Sequence, residues 1–168
     1  MKSFSMAEIS RPDQPAGYLH PVVERSAHVL MVDDVRGDVL LARRWLGAGR
    51  GIDCDLVSAS TVGEALEALH MARASGMETD LVLLDIGLPG DSGFSLLEKI
   101  RADVAFRRIP VIMCTGSAHD IDRRYATLLG VVGYVLKPLA PAALRAIVEQ
   151  LPRLSVVEHA GGLKLLAA

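Results

Sequence analysis

Short apolar runs and segments of helical period alternate five times along this chain. His28-Val-Leu-Met-Val32 suits a buried strand, and Val35, Val39, Ala42 and Leu46 then recur at helical spacing until Gly47–Gly51 stops the helix. Cys54–Ser58 reads as a second strand. Thr61 and Glu64 form a capping-box pattern before a helix carried by Val62, Leu66 and Leu69. Leu81–Leu84 is a third strand, bounded by Asp85, Gly87 and Pro89; Phe94, Leu97 and Ile100 mark the helix after it. Pro110–Cys114 is a fourth strand, with proline at its first residue, where a missing N–H is tolerated. Ile121, Tyr125, Leu128 and Leu129 mark a fourth helix. Gly133–Leu136 is a fifth strand, and Leu144, Ile147, Val148 and Leu151 give a fifth helix, ended by Pro152. Five such units predict an α/β fold, a doubly wound five-stranded parallel sheet with helices on both faces. Strands covered on both sides need not alternate, which fits the continuous apolar runs.

The flanks read differently. Residues 1–26 lack an apolar period, carry Pro12, Pro15 and Pro21, and read as an irregular N-terminal arm before a domain at 27–152. Residues 153–168 are apolar but interrupted by Gly161-Gly162, and read as a C-terminal arm that packs on a partner. A formal charge of −2 argues against nucleic-acid binding driven by bulk charge and against a polybasic membrane anchor. The longest apolar stretch, Leu128–Leu136, is far short of the about 20 residues that a membrane span needs. The N-terminal segment has no apolar core after its lysine, and Cys54 and Cys114 form no CxxC motif. A cytoplasmic protein with reduced thiols is expected.

The polar residues gather at strand ends. Asp33 and Asp34 follow the first strand, Asp85 the third, Thr115 the fourth and Lys137 the fifth. A parallel sheet puts all its carboxyl ends on one edge, so these residues meet at one rim. With strands about 4.8 Å apart, neighbouring first and third strands bring three carboxylates within a few ångströms of one another. A lysine two strands away, roughly 10 Å, still reaches across. Carboxylates this close cannot all ionise without compensation. A hard divalent cation such as Mg²⁺, which takes a few carboxylates, waters and phosphate oxygens, is the natural compensation. It would screen Asp85 for attack on a negatively charged electrophile whose oxygens Lys137 and the Thr115 hydroxyl could hold. The pattern suggests metal-assisted phosphoryl transfer onto a carboxylate.

Val32-Asp-Asp34, Leu84-Asp-Ile-Gly-Leu-Pro89 with Gly93, Cys114-Thr-Gly116 and Tyr134-Val-Leu-Lys-Pro138, in this order and each after an expected strand, resemble the receiver domain of bacterial two-component response regulators. The resemblance covers residues 27 to 152. It implies a flavodoxin-like (CheY-like) three-layer sandwich with sheet order 2-1-3-4-5. It also implies Asp85 as phospho-acceptor, Asp34 as a direct Mg²⁺ ligand, Asp33 as a ligand mainly through water, and the Gly87 backbone carbonyl as a further ligand. Lys137 would pair with the phosphoryl group, with a cis peptide to Pro138. Thr115 would bond a phosphoryl oxygen and Tyr134 would swing in behind it. The implied donor is a histidine kinase or a histidine phosphotransfer protein, and the implied output is a changed surface on helix four, strand five and helix five. Gly87 and Ser117 stand where the family often uses side chains that set phosphoryl lifetime, so the resemblance does not set that lifetime here. Gly37-Asp-Val-Leu-Leu41, Arg107-Arg-Ile-Pro110 and the apolar tail are similar to single-domain regulators that partner phytochrome-type histidine kinases, in which the C-terminal arm helps to form a homodimer.

Competing readings have less behind them. A phosphohydrolase of the haloacid dehalogenase type also uses an aspartyl phosphate and a strand-end lysine, but Asp85-Ile-Gly87 lacks that class's second acid. A phosphorylation-independent receiver-like binding module would not need the intact acids and lysine. Gly90-Asp-Ser-Gly93 resembles a serine-protease nucleophile loop, yet the alternation denies the all-β frame; Ser92 reads as a helix cap. Cys114 reads as core, the histidines show no ligand spacing, and Arg123-Arg124 reads as a solvated helix face. No DNA-binding or catalytic unit is seen after residue 152, so output through protein contact is expected.

Overall fold

The protein is represented by a computed structural model that describes residues 24–46, 51–159 and 162–168. The N-terminal arm through residue 23 and most of the Gly47–Gly51 loop fall outside the described residues. In chain order the elements are β1 (Arg25–Ser26), β2 (His28–Val32), α1 (Arg36–Trp45), β3 (Ile52–Asp53), β4 (Asp55–Ala59), α2 (Val62–Ala74), β5 (Leu81–Leu84), β6 (Gly87–Leu88), β7 (Asp91–Ser92), α3 (Gly93–Ala102), β8 (Val111–Thr115), α4 (Asp120–Leu128), β9 (Gly133–Leu136), α5 (Pro141–Val148), β10 (Leu154–His159) and β11 (Gly162–Ala167).

The five expected strands are β2, β4, β5, β8 and β9. They form one parallel sheet in the order β4-β2-β5-β8-β9, which is 2-1-3-4-5 in the numbering of the expected strands. Side chains of a strand point alternately to its two faces. Val29, Met31, Leu81, Leu83, Ile112 and Cys114 therefore share one buried cluster with Ala42 of α1 and Leu144 and Val148 of α5. Leu30, Val32, Val82, Leu84, Val111 and Met113 share the other with α2, α3 and α4. Each large side chain so buried stabilises the fold by about 1.5–3 kcal/mol, so both helical layers are bound to the sheet.

Local signals place the helices. Thr61 Oγ1 accepts from the Glu64 N–H at 3.1 Å, and the Glu64 carboxylate accepts from the Ser60 N–H and hydroxyl, each at 2.7 Å. This is a capping box shifted by one residue, with Ser60 in the reciprocal role. Ser92 caps α3 through its hydroxyl, which accepts from the Phe94 N–H at 3.1 Å.

Three expectations change. Arg25–Ser26, assigned to the irregular arm, forms a strand against β11. The C-terminal segment is a hairpin, β10 against β11, and β11 also pairs in parallel with β3. Because β1 and β3 run directly into β2 and β4, this second sheet adjoins the amino edge of the central one. Its Leu154, Leu165 and Ala167 extend the α1–α5 cluster. Third, most of the α4 stripe faces outward: Ile121, Tyr125 and Leu128 are exposed, while Leu129 packs against the core and the helix buries Ala126.

Candidate functional site

The sheet delivers four of the expected residues to its carboxyl edge. Asp33 follows β2, Asp85 follows β5, Thr115 ends β8 and Lys137 follows β9. Asp33, Asp85 and Thr115 are also the buried polar residues among the described ones, in a core that is otherwise apolar. Asp33 Oδ1 accepts from the Val35 N–H at 2.9 Å, which fixes the turn into α1. Asp34 is exposed, yet carboxylate oxygens of Asp33, Asp34 and Asp85 lie within 4.8 Å of one another.

Lys137 crosses the edge to meet them. Its Nζ donates to Asp85 Oδ2 at 2.6 Å and stands 2.7 Å from Asp33 Oδ2. It is also 2.8 Å from Asp38 Oδ2. Asp38 was absent from the expected site residues. Its signal was its place in the first turn of a helix that starts at the rim, but nothing local in the sequence tied it to a lysine near the other end of the domain.

Charge governs this cluster. Burial alone would lower the Lys137 pKa, but the close contacts with the Asp33, Asp38 and Asp85 carboxylates outweigh it and hold the ammonium above its ordinary range. Burial raises the Asp33 pKa, and the Lys137 and Val35 contacts only partly offset it. Cys114 lies beneath the site, where burial pushes its thiol up to about 12 and keeps it a neutral core group.

The donor set fits a divalent cation. Asp33 Oδ2 is buried and lacks a well-aligned hydrogen bond even though the lysine is within ion-pair distance. A buried carboxylate oxygen without a donor is costly, and hard oxygen ligands of this kind suit Mg²⁺. Four carboxylates facing one ammonium leave the negative charge in excess.

The loop after β5 is held tightly. The Gly87 N–H donates to Asp85 Oδ1 at 3.4 Å, and a Cβ at Gly87 would meet nothing within 4 Å, so the space beside Asp85 is open. Gly93 has no such freedom: a Cβ there would lie 1.9 Å from the Asp85 carbonyl oxygen. The start of α3 therefore packs directly on the Asp85 backbone.

Thr115 is buried, and its hydroxyl accepts from the Ser117 N–H at 3.2 Å. Tyr134 donates its hydroxyl to the Ser117 carbonyl at 2.9 Å, and the Arg123 guanidinium sits 4.8 Å from the ring centroid. Thr115 and Tyr134 thus meet at the segment entering α4. The Lys137–Pro138 peptide is cis. A cavity of about 540 Å³ lies at the amino edge, lined by Asp80, Pro110 and Leu154. Among the described residues, no helix is long and apolar enough to cross a membrane.

Residues 29–149 match the response regulator receiver domain. The two-component response regulator ARR7 of Arabidopsis thaliana is 30% identical over 157 residues, covering 89% of this chain and 74% of that protein. The bacteriophytochrome response regulator AtBRR is similar with a TM-score of 0.67 at 25% identity, covering 80% of this chain and 99% of that one. The phosphorylated cyanobacterial phytochrome response regulator RcpA gives a TM-score of 0.62 at 26% identity, covering 71% of this chain and 86% of that one.

Proposed function

The chain belongs to the response regulator receiver family, and on that premise we propose that it is a cytoplasmic switch that takes a phosphoryl group onto Asp85 from a histidine kinase or a histidine phosphotransfer protein. The observation that carries this reading is the Lys137 ammonium 2.6 Å from Asp85 Oδ2, beside an acidic pair within 4.8 Å. An Asp85 oxygen attacks phosphorus, the new O–P bond forms as the P–N bond to the donor imidazole breaks, and that nitrogen leaves with its electron pair. Asp33, Asp34, Asp85 and the Gly87 carbonyl would hold Mg²⁺, which when bound supplies neutralising charge for the phosphoryl oxygens. Lys137 adds a fixed cation, and the Thr115 hydroxyl turns from the Ser117 N–H to a phosphoryl oxygen. Tyr134 then releases the Ser117 carbonyl and follows.

Output runs through protein contact on α4, β9 and α5. Ile121 and Leu128 are 76% and 83% exposed there, and Leu136 of β9 is exposed as well. The likeness to the bacteriophytochrome response regulator AtBRR supports a regulator of this kind. A second copy binding through the C-terminal hairpin would make the homodimer.

The test is incubation with Mg²⁺ and a small phosphoryl donor such as acetyl phosphate. We expect an acid-stable, base-labile phosphate on the protein, abolished by Asp85→Asn. Labelling that survives the substitution would overturn the assignment. Rapid turnover of many phosphate esters would replace it with a hydrolase, and no labelling with a phosphorylation-independent binding module.

A further inference from the structure

We infer that Asp38 is a standing counter-ion of Lys137, a positioning residue that weakens the lysine's hold on the phosphoryl group. The inference rests on the receiver reading of Asp85 and adds a determinant of how firmly the phosphorylated state is held.

Three carboxylates converge on one ammonium at 2.6–2.8 Å, and their circumstances differ. Asp85 is the group that would be esterified. Asp33 belongs with Asp34 and Asp85 to the carboxylates grouped for a cation, whereas Asp38 does not. Once those two are engaged, Asp38 is the carboxylate left on Lys137. Its side chain is 33% exposed, against 1% for Asp33 and 9% for Asp85, so it stands at the mouth of the site. It is anchored there, because the first turn of α1 favours a negative side chain. An ammonium already paired with a fixed carboxylate offers less unbalanced charge to a second anion. Asp38 and the phosphoryl oxygens therefore compete for Lys137.

The probe is beryllofluoride, an aspartyl-phosphate mimic, titrated calorimetrically at saturating Mg²⁺ into the full chain. Asp38→Asn is expected to tighten its binding roughly twofold to fivefold, the range for one partly exposed ion pair. Asp38→Glu, which restores the charge, should return the affinity toward that of the unsubstituted protein. Asp91→Asn is the control for bulk charge, since Asp91 pairs with Lys99 and not with Lys137; it should leave affinity unchanged. Equal or weaker beryllofluoride binding by Asp38→Asn, or equal tightening by Asp91→Asn, overturns the role of Asp38. Asp38→Ser supplies the same comparison should the asparagine variant fold poorly. Failure of the unsubstituted protein to bind beryllofluoride, or binding that persists in Asp85→Asn, removes the reading of Asp85 as phospho-acceptor. The two failures are thereby distinguished.

Discussion

Lys137 is the residue on which the carboxyl edge depends for its stability. Asp33 and Asp85 are almost enclosed, and without the ammonium they become buried carboxylates with no cation. Removing one member of a buried ion pair costs about 3–5 kcal/mol, because the charge left behind stays desolvated. Lys137→Met keeps the length of the apolar stem and deletes the charge. It should lower stability by about 3 kcal/mol at pH 7 in a chelator. Mg²⁺ should recover most of that loss, since a bound divalent cation neutralises the same oxygens. Urea unfolding with and without Mg²⁺ measures both. A loss that Mg²⁺ leaves untouched would mean that packing of the stem, not charge, is at stake. The acids and the lysine were legible in the sequence because each directly follows an apolar strand. Asp38 was not, because its contact exists only after β2 and β9 are brought to one edge.

At the scale of the element, the pattern told helix from strand more readily than it told which face is buried. The inner parallel strands β2, β5 and β8 are nearly continuous apolar runs that need no facing information. In α4, Ile121, Tyr125 and Leu128 share a stripe, and periodicity alone assigns such a stripe inward. The structure turns it outward, because the tight site over the sheet accepts the small Ala126. The two-residue strands β1 and β3 were invisible, since their partner β11 lies at the other end of the chain. Capping was legible, and it carries a pH test. Hydrogen bonds from the Ser60 N–H and hydroxyl hold the Glu64 carboxyl below its ordinary value of 4.5. A carboxylate depressed in the folded state adds stability that is fully present above the unfolded pKa. That stability is lost as pH falls through the folded one. Glu64→Gln should therefore be less stable than the unsubstituted protein at pH 7. The gap should begin to narrow below about pH 4.5 and close under the folded value. Denaturation midpoints across pH 3 to 7, values chosen about this window, follow it. A gap independent of pH would assign the effect to the side chain's shape and not to its charge.

Across the whole molecule, the two sheets divide the work. The carboxyl edge of the central sheet carries the charged site, and the hairpin sheet adjoins the amino edge, reached through β1 and β3. The hairpin is nevertheless part of the core. Leu165 and Ala167 are almost fully buried and Leu154 nearly so, in the cluster that also holds Ala27, Ile52, Leu81 and Val148. Removing residues 154–168 would expose that side of the cluster. The burial of Leu154 and Leu165 predicts a truncated chain less stable than the full one. The site should not register that loss. At a temperature where the truncated chain stays folded, Mg²⁺ affinity should remain within about twofold of the full chain's, because additivity holds for sites that share no contacts. Calorimetric Mg²⁺ titration beside urea unfolding separates the two quantities. Stability that falls while metal affinity holds makes the hairpin a brace on the fold. A parallel fall in metal affinity in the folded truncated protein would mean that β2, which runs from β1 at one edge to Asp33 at the other, transmits the loss of the hairpin to the site. The tail would then be a regulatory element rather than a brace.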